Sequence, residues 1–282
     1  MIKTPGIYYR VPFEEYAAWE AVNNSSLGPA LRSRRHYTHS LATGRADTSA
    51  FKFGRLCHEC NFEASSVLGK YVVLPDLTEG ILTASGNPAK SPKSTAEYRT
   101  RVERWRSVNV TDGVTVVSPN ELRDLRGVMD AVHRTDTARH WLVNHDGPNE
   151  VCIVWDDALT GLRCKGRVDK VAGSLLVDLK TTADCQLFER SMLRYGYLRQ
   201  AAFYLDGWRS CGRSADGFGI VAVEKSAPWG CRAALLSSGA IEYGRQQYRQ
   251  ALAVVDGVES DYPAQEYFEL PSYLPSLKET GV

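Results

Sequence analysis

The sequence has no run of about 18 apolar residues, the length a helix needs to cross a bilayer, so no membrane-spanning segment is expected. Its start, MIKTPGIYYRVPFEE, also lacks the basic-then-apolar pattern of a secretory signal, and a cytoplasmic protein is the expectation. The seven cysteines, at 57, 60, 152, 164, 185, 211 and 231, form no regular framework, and an odd number in a chain of this size suits reduced thiols. Cys57-x-x-Cys60 would open a zinc or iron–sulfur site only with partners nearby. The other cysteines are dispersed, so these read as buried thiols. Charge of either sign is also in short surplus: the formal net charge is +1, and a nucleic-acid partner would need basic residues gathered locally. No internal repeat is visible.

What is present is a chain of 282 residues with 43% hydrophobic content, enough for one large domain. It divides into a mainly helical part over 1–145, a sheet-and-helix part over 146–260 and a C-terminal tail over 261–282. Two basic runs occur: Arg32, Arg34, Arg35, Arg45, Lys52 and Arg55, then Arg99, Arg101, Arg104 and Arg106. A charge run is equally what a solvated face looks like.

Residues 12–40 read as a helical entry, with N-cap oxygens at Asn23 to Ser26. FGRLCHECNFEAS, 53–65, is a second helix that puts Leu56, Cys60 and Glu63 on one side and His58 on another. The Gly-, Ser-, Pro- and Lys-rich stretch 76–96 reads as a mobile loop. Helices follow over 94–107 and over 119–142, the latter opened by a Ser118–Glu121 capping box.

The period then changes. EVCIVWDD, GLRCKGRVDKV and SLLVDLKTT are short β-type runs and read as an antiparallel meander, followed by a helix over 185–210, two further strands and a closing helix over 239–256. A two-residue turn at Ala172-Gly173 would set Asp169 opposite Leu176, and strand alternation then puts Asp169, Asp178 and Lys180 on one face. The same parity applied to the DDALTG loop sets Glu150 opposite Arg167. Carboxylates converging in this way can hold Mg²⁺, and phosphodiester hydrolysis needs such an ion to activate water and neutralise the phosphate. Lys180 would then lower the water's pKa, orient it, or stabilise the transition state. On the following helix Leu193, Tyr197, Gln200, Tyr204 and Trp208 recur at helical spacing. Gln200 would hold the lysine or the water, or else be a surface amide; Tyr204 reads as core with its hydroxyl at the rim.

GRVDK, LLVDLKTT, QAAFY and IVAVEKSAPW, in that order, together with PGIYYRVPFEEY, NNSSL and FGRLCHECNFE upstream, resemble the RecB-type branch of PD-(D/E)XK nucleases. Within it they look most like the RecE (exonuclease VIII)-like phage exonucleases. The resemblance implies an α/β fold, a central mixed sheet with an antiparallel meander flanked by helices. It implies an exonuclease that degrades double-stranded DNA from an end, 5′ to 3′, with Mg²⁺ or Mn²⁺, two ions per site. It also implies a bacterial or phage source, an annealing protein as recombination partner and a ring of three or four subunits. By the same resemblance Asp169, Asp178, the Leu179 carbonyl and His58 are metal ligands, and Lys180 assists the water. Glu150 and Gln200 stand beside them, and Arg55, Arg167 and Tyr204 face DNA. The rival readings are an endonuclease on the same core, and a DNA-end-binding protein without chemistry. A covalently closed plasmid separates the first, and metal-dependent release of nucleotides the second.

Overall fold

A computed structural model describes residues 2–44, 48–62 and 69–257. Local capping chemistry sets its first half. After β1 (Gly6–Tyr8) and α1 (Phe13–Ala17), the Asn23 side chain accepts the Ser26 N–H at 2.9 Å and starts α2 (Asn24–Ala30). Ser33 accepts from the His36 N–H and starts α3 (Arg34–Thr43), so the entry expected over 12–40 is three short helices, the second and third opened by their own capping side chains. Then come α4 (Ser49–Phe62), β2 (Tyr71–Val73), α5 (Ala96–Asn109) and β3 (Thr115–Val117). β2 and β3 pair in parallel, a two-strand ladder too short to show a period in the sequence. The loop over 76–96 is tied down by Arg101, which donates to the carbonyls of Leu77 and Glu79. The Ser118–Glu121 capping box forms as expected and opens α6 (Pro119–Arg134). That helix stops at Thr135, and α7 (Asp136–Leu142) follows as a separate helix.

The second half supplies β4 (Asn149–Asp156), β5 (Arg163–Ala172), β6 (Leu175–Thr182), α8 (Phe188–Tyr195), α9 (Tyr197–Ser210), β7 (Gly217–Glu224), β8 (Cys231–Leu235) and α10 (Ser238–Asp256). The six-stranded sheet has the order β1-β4-β5-β6-β7-β8. Every neighbouring pair is antiparallel except β6–β7, which is parallel because the chain crosses over through α8 and α9. The fold is thus the mixed α/β sheet that the sequence implied. The helix expected over 185–210 is broken at Gly196, whose φ of 70° is left-handed and ends α8.

Alternation along β6 assigns the two faces. Leu176 belongs to the core under α9 and α10, with Phe203 and Tyr248. Val177 and Leu179 belong to the core under α4, α6 and α7, with Leu56 and Val128. Val154 and Cys152 of β4 meet Tyr16 and Trp19 of the N-terminal segment. There Lys165, only 2% exposed, donates to the carbonyls of Tyr16, Ala17 and Trp19 at 2.9, 3.1 and 2.7 Å.

Two registers differ from the sequence expectation. The β5–β6 turn is Gly173–Ser174, between the paired Ala172 and Leu175, so continuing the register sets Asp169 opposite Asp178 and not Leu176. In the β4–β5 ladder Asn149 pairs with Lys170 and Val151 with Val168, which sets Glu150 opposite Asp169 and not Arg167. Each correction changes the partner by two residues. A change of two preserves the face, which is why the expected convergence survives. The tail over 261–282, Glu63 and Arg45 lie outside the described residues.

Candidate active site

The β5–β6 ladder runs only from Ala172–Leu175 to Lys170–Val177, whereas β6 stays paired with β7 along its whole length. Asp169 and Asp178 therefore stand at the point where β5 and β6 part. Asp169 Oδ2 accepts the Leu179 N–H at 2.8 Å, a backbone donor that the open ladder leaves without a strand partner. Asp178, 2% exposed, accepts from the Gln200 amide of α9 at 2.7 Å, and its other oxygen lies 2.5 Å from Lys180 Nζ.

From the opposite face α4 brings His58. Gly54 packs near the Thr181 side chain, one turn before His58 on the same helix, and lets α4 lie close over β6. His58 Nε2 is 2.8 Å from the Leu179 carbonyl, which accepts its proton. Nδ1 then faces Asp169 Oδ2 at 3.5 Å and Glu150 Oε1 at 3.9 Å. Glu150 reaches this point from a backbone with φ of 52°, a left-handed conformation that non-glycine residues seldom hold. Its other oxygen pairs with Arg167.

The charges are strongly coupled. Burial first, and the neighbouring Asp178 charge second, raise the Asp169 carboxyl to about 7. Burial alone would depress His58, but the Asp169 charge and the Glu150 carboxylate outweigh it and lift the imidazole to about 9. Lys180 likewise resists its own burial: Asp178 and then Asp169 hold its ammonium above the ordinary lysine value. Glu150 ends below its ordinary value, because the His58 and Arg167 partners outweigh its burial.

These residues fit a divalent cation. His58, Glu150 and Asp169 offer one ligand atom each, all within 4.8 Å of one another, a mixed imidazole and carboxylate set. Asp178 Oδ2 is buried, and its contact with Lys180 is an ion pair that lacks the alignment of a hydrogen bond, so the oxygen has an unmet acceptor direction.

The structure thus gathers Asp169, Asp178, Leu179, Lys180, Gln200, Glu150 and His58 in one place. Arg167 borders it through Glu150, and Arg55 lies exposed on α4. Tyr204 is buried, with its ring against Gly166, where an added Cβ would come within 2.8 Å of it; its hydroxyl borders the site, where burial first and then the Asp178 charge raise its pKa and the Arg167 backbone bonds it. Leu193 leaves the expected helical stripe, because the break at Gly196 puts it on α8, where it is exposed. Tyr197 was legible only as spacing, yet its ring carries the Lys180 ammonium 4.9 Å from its centroid. The basic residues Arg32, Arg34, Arg35, Lys52 and Arg55 are exposed, whereas Arg101 is spent on Glu97 and the 76–96 loop. All seven cysteines are free thiols. No helix among the described residues is long and apolar enough to cross a membrane.

A family model described as "PDDEXK-like domain of unknown function (DUF3799)" matches residues 25–267. Among solved structures, one from Eubacterium rectale named "Putative exonuclease" is similar over 90% of this chain and 89% of its own, with a TM-score of 0.56 and 14% identity. At that identity the likeness shows the fold. An alkaline exonuclease from Laribacter hongkongensis is more distant, with a TM-score of 0.29 and 13% identity over 61% of this chain and 83% of its own. No curated protein sequence matches the chain.

Proposed function

Because the chain belongs to the PDDEXK-like family whose model spans residues 25–267, we propose that it is a metal-dependent deoxyribonuclease that degrades linear double-stranded DNA from an end, 5′ to 3′. The observation that carries this reading is the meeting, where β5 and β6 part, of the His58, Glu150 and Asp169 ligand atoms with the Asp178–Lys180 pair.

His58, Glu150 and Asp169 would hold Mg²⁺ or Mn²⁺, with Asp178 completing the acidic side and giving room for two ions. When bound, the divalent ion neutralises phosphate charge and makes water acidic enough to attack. The Leu179 carbonyl accepts from His58 Nε2 and so leaves Nδ1 turned toward the carboxylates. Lys180 is kept cationic by its acidic neighbours; its part is to stabilise negative charge gathering on the phosphate and not to take a proton. Gln200 holds Asp178 in orientation through its amide. Arg55 and the exposed basic residues before it on α3 and α4 give the DNA backbone a positive approach.

The finer reading is a cytoplasmic enzyme of a bacterium or phage, assembled as a ring of three or four subunits, whose single-stranded product passes to an annealing protein. A net charge of +1 gives one copy little hold on a duplex, and a ring would gather several copies of the basic surface around it. Linear duplex labelled at the 5′ or the 3′ end, with and without Mg²⁺, tests activity, polarity and metal need together. A closed plasmid left intact supports end-dependent digestion, and a cut one means an endonuclease. Binding without release of nucleotides would leave only an end-binding protein. Sedimentation at micromolar protein tests the ring.

A further inference from the structure

The elbow between α8 and α9 carries more than Gln200. α8 ends at Tyr195, Gly196 turns the chain in the left-handed region, and α9 begins at Tyr197. Three rings line up through this turn. Phe188 stacks on Tyr197 at 5.9 Å between centroids and 30°, and Tyr195 lies on Tyr197 at 5.9 Å and 33°. Phe188 is 6% exposed and anchored in the core, while Tyr195, at the other end, is 52% exposed. The middle ring is the one beneath the Lys180 ammonium, which itself pairs with Asp178. The Arg194 guanidinium lies 5.6 Å from the centre of the Tyr195 ring.

The elbow is also held rigidly. A Cβ at position 196 would come within 2.6 Å of the Arg199 guanidinium, so this glycine is demanded by packing as well as by its φ. Arg199 in turn is buried and donates to the Asn24 side chain and carbonyl at 2.9 and 3.3 Å, which fastens the start of α9 to α2. No carboxylate pairs with it among the described residues, and its burial disfavours the charged form. An exposed aromatic ring fixed in place, flanked by cationic groups and one ring away from the Lys180 ammonium, has the properties of a surface on which a nucleobase stacks.

We propose that Tyr195 is a base-stacking platform that positions the nucleotide next to the phosphate cleaved at Lys180. This deepens the nuclease reading and rests on it. Stacking on one ring is independent of sequence, because every base has a π-face; the platform would act on binding and register and not on the identity of the base. Tyr195 is accordingly a positioning residue, and the Arg194 guanidinium over its ring, on a flexible stem, is the group that a base displaces toward the phosphate.

The test compares Tyr195→Ala, Tyr195→Phe and the parent on an oligonucleotide with 2-aminopurine at its terminal positions, with Ca²⁺ in place of Mg²⁺ to hold the complex, and on linear duplex with Mg²⁺. Stacking quenches 2-aminopurine, so the parent and Tyr195→Phe are expected to quench it and Tyr195→Ala to lose the quench. KM for linear duplex should rise about 5- to 150-fold in Tyr195→Ala and stay near the parent's in Tyr195→Phe, with kcat changing much less. A parent that digests DNA, beside a Tyr195→Ala variant with unchanged quench and KM, overturns the platform and leaves the nuclease reading standing. A parent that neither binds nor digests DNA with metal overturns both.

Discussion

Metal affinity should rise steeply with pH, and the structure sets how steeply. As ligands, His58 and Asp169 must each be free of its proton, yet Asp169 is raised to about 7 and His58 to about 9. Near pH 6 both hold a proton, so binding a divalent ion expels about two; near pH 8 only His58 does, and about one is expelled. The sign follows directly: protons compete with the metal, and affinity grows as they are removed. Summed over the two groups, affinity should increase about a thousand-fold from pH 6 to pH 8 and flatten above about 9. Calorimetric titration with Mn²⁺, in two buffers of different ionisation enthalpy at each pH, gives both affinity and the number of protons released. Affinity that is flat between pH 6 and 8, with no proton release, would refute the assignment of His58 and Asp169 as ligands.

Asp178→Asn should lower turnover by at least about a hundred-fold, because a carboxylate that holds the divalent ion is lost, and with it the activated water. The melting temperature should move by only a few degrees, since the lost attraction to Lys180 is offset by relief from the Asp169 charge; turnover near the parent's would contradict the site. Gln200→Ala removes a hydrogen bond to a carboxylate, worth about 1.5–3 kcal/mol, and should cost about 10- to 150-fold in kcat with Mn²⁺ affinity little changed. A large loss of Mn²⁺ affinity with kcat intact would instead make it part of the metal site. His58→Ala should weaken Mn²⁺ binding without unfolding α4, and an unchanged affinity with a lower melting temperature would make the histidine structural. Lys165→Met strands the buried carbonyls of Tyr16 and Trp19 and the part-buried one of Ala17, and should cost about 2–5 kcal/mol in urea unfolding, with activity retained below the transition; an unshifted midpoint would show that the N-terminal segment is not held by this ammonium.

Local chemistry was readable from the residues in order. The Asn23 cap, the Ser118–Glu121 box and the short β-type runs that became β4, β5 and β6 depend on neighbours a few positions apart, and sequence spacing carries that information. The face shared by Asp169, Asp178 and Lys180 was also readable, because side-chain parity along a strand survives an error of two residues in the turn. The turn residues themselves were not, since Ala172-Gly173 and Gly173-Ser174 are both acceptable loops and the choice lies in how the β5 and β6 side chains pack. Nor was the break at Gly196, where a glycine inside a helical pattern takes a left-handed φ and the buried Arg199 guanidinium occupies the space of a Cβ. The candidate site itself is a tertiary object. His58 meets the Leu179 carbonyl across 121 positions of chain, and Glu150 reaches the same point from a left-handed backbone that no pattern announces. Spacing along a chain determines which residues share a face; only the packing of α4 against the opened sheet decides which faces meet.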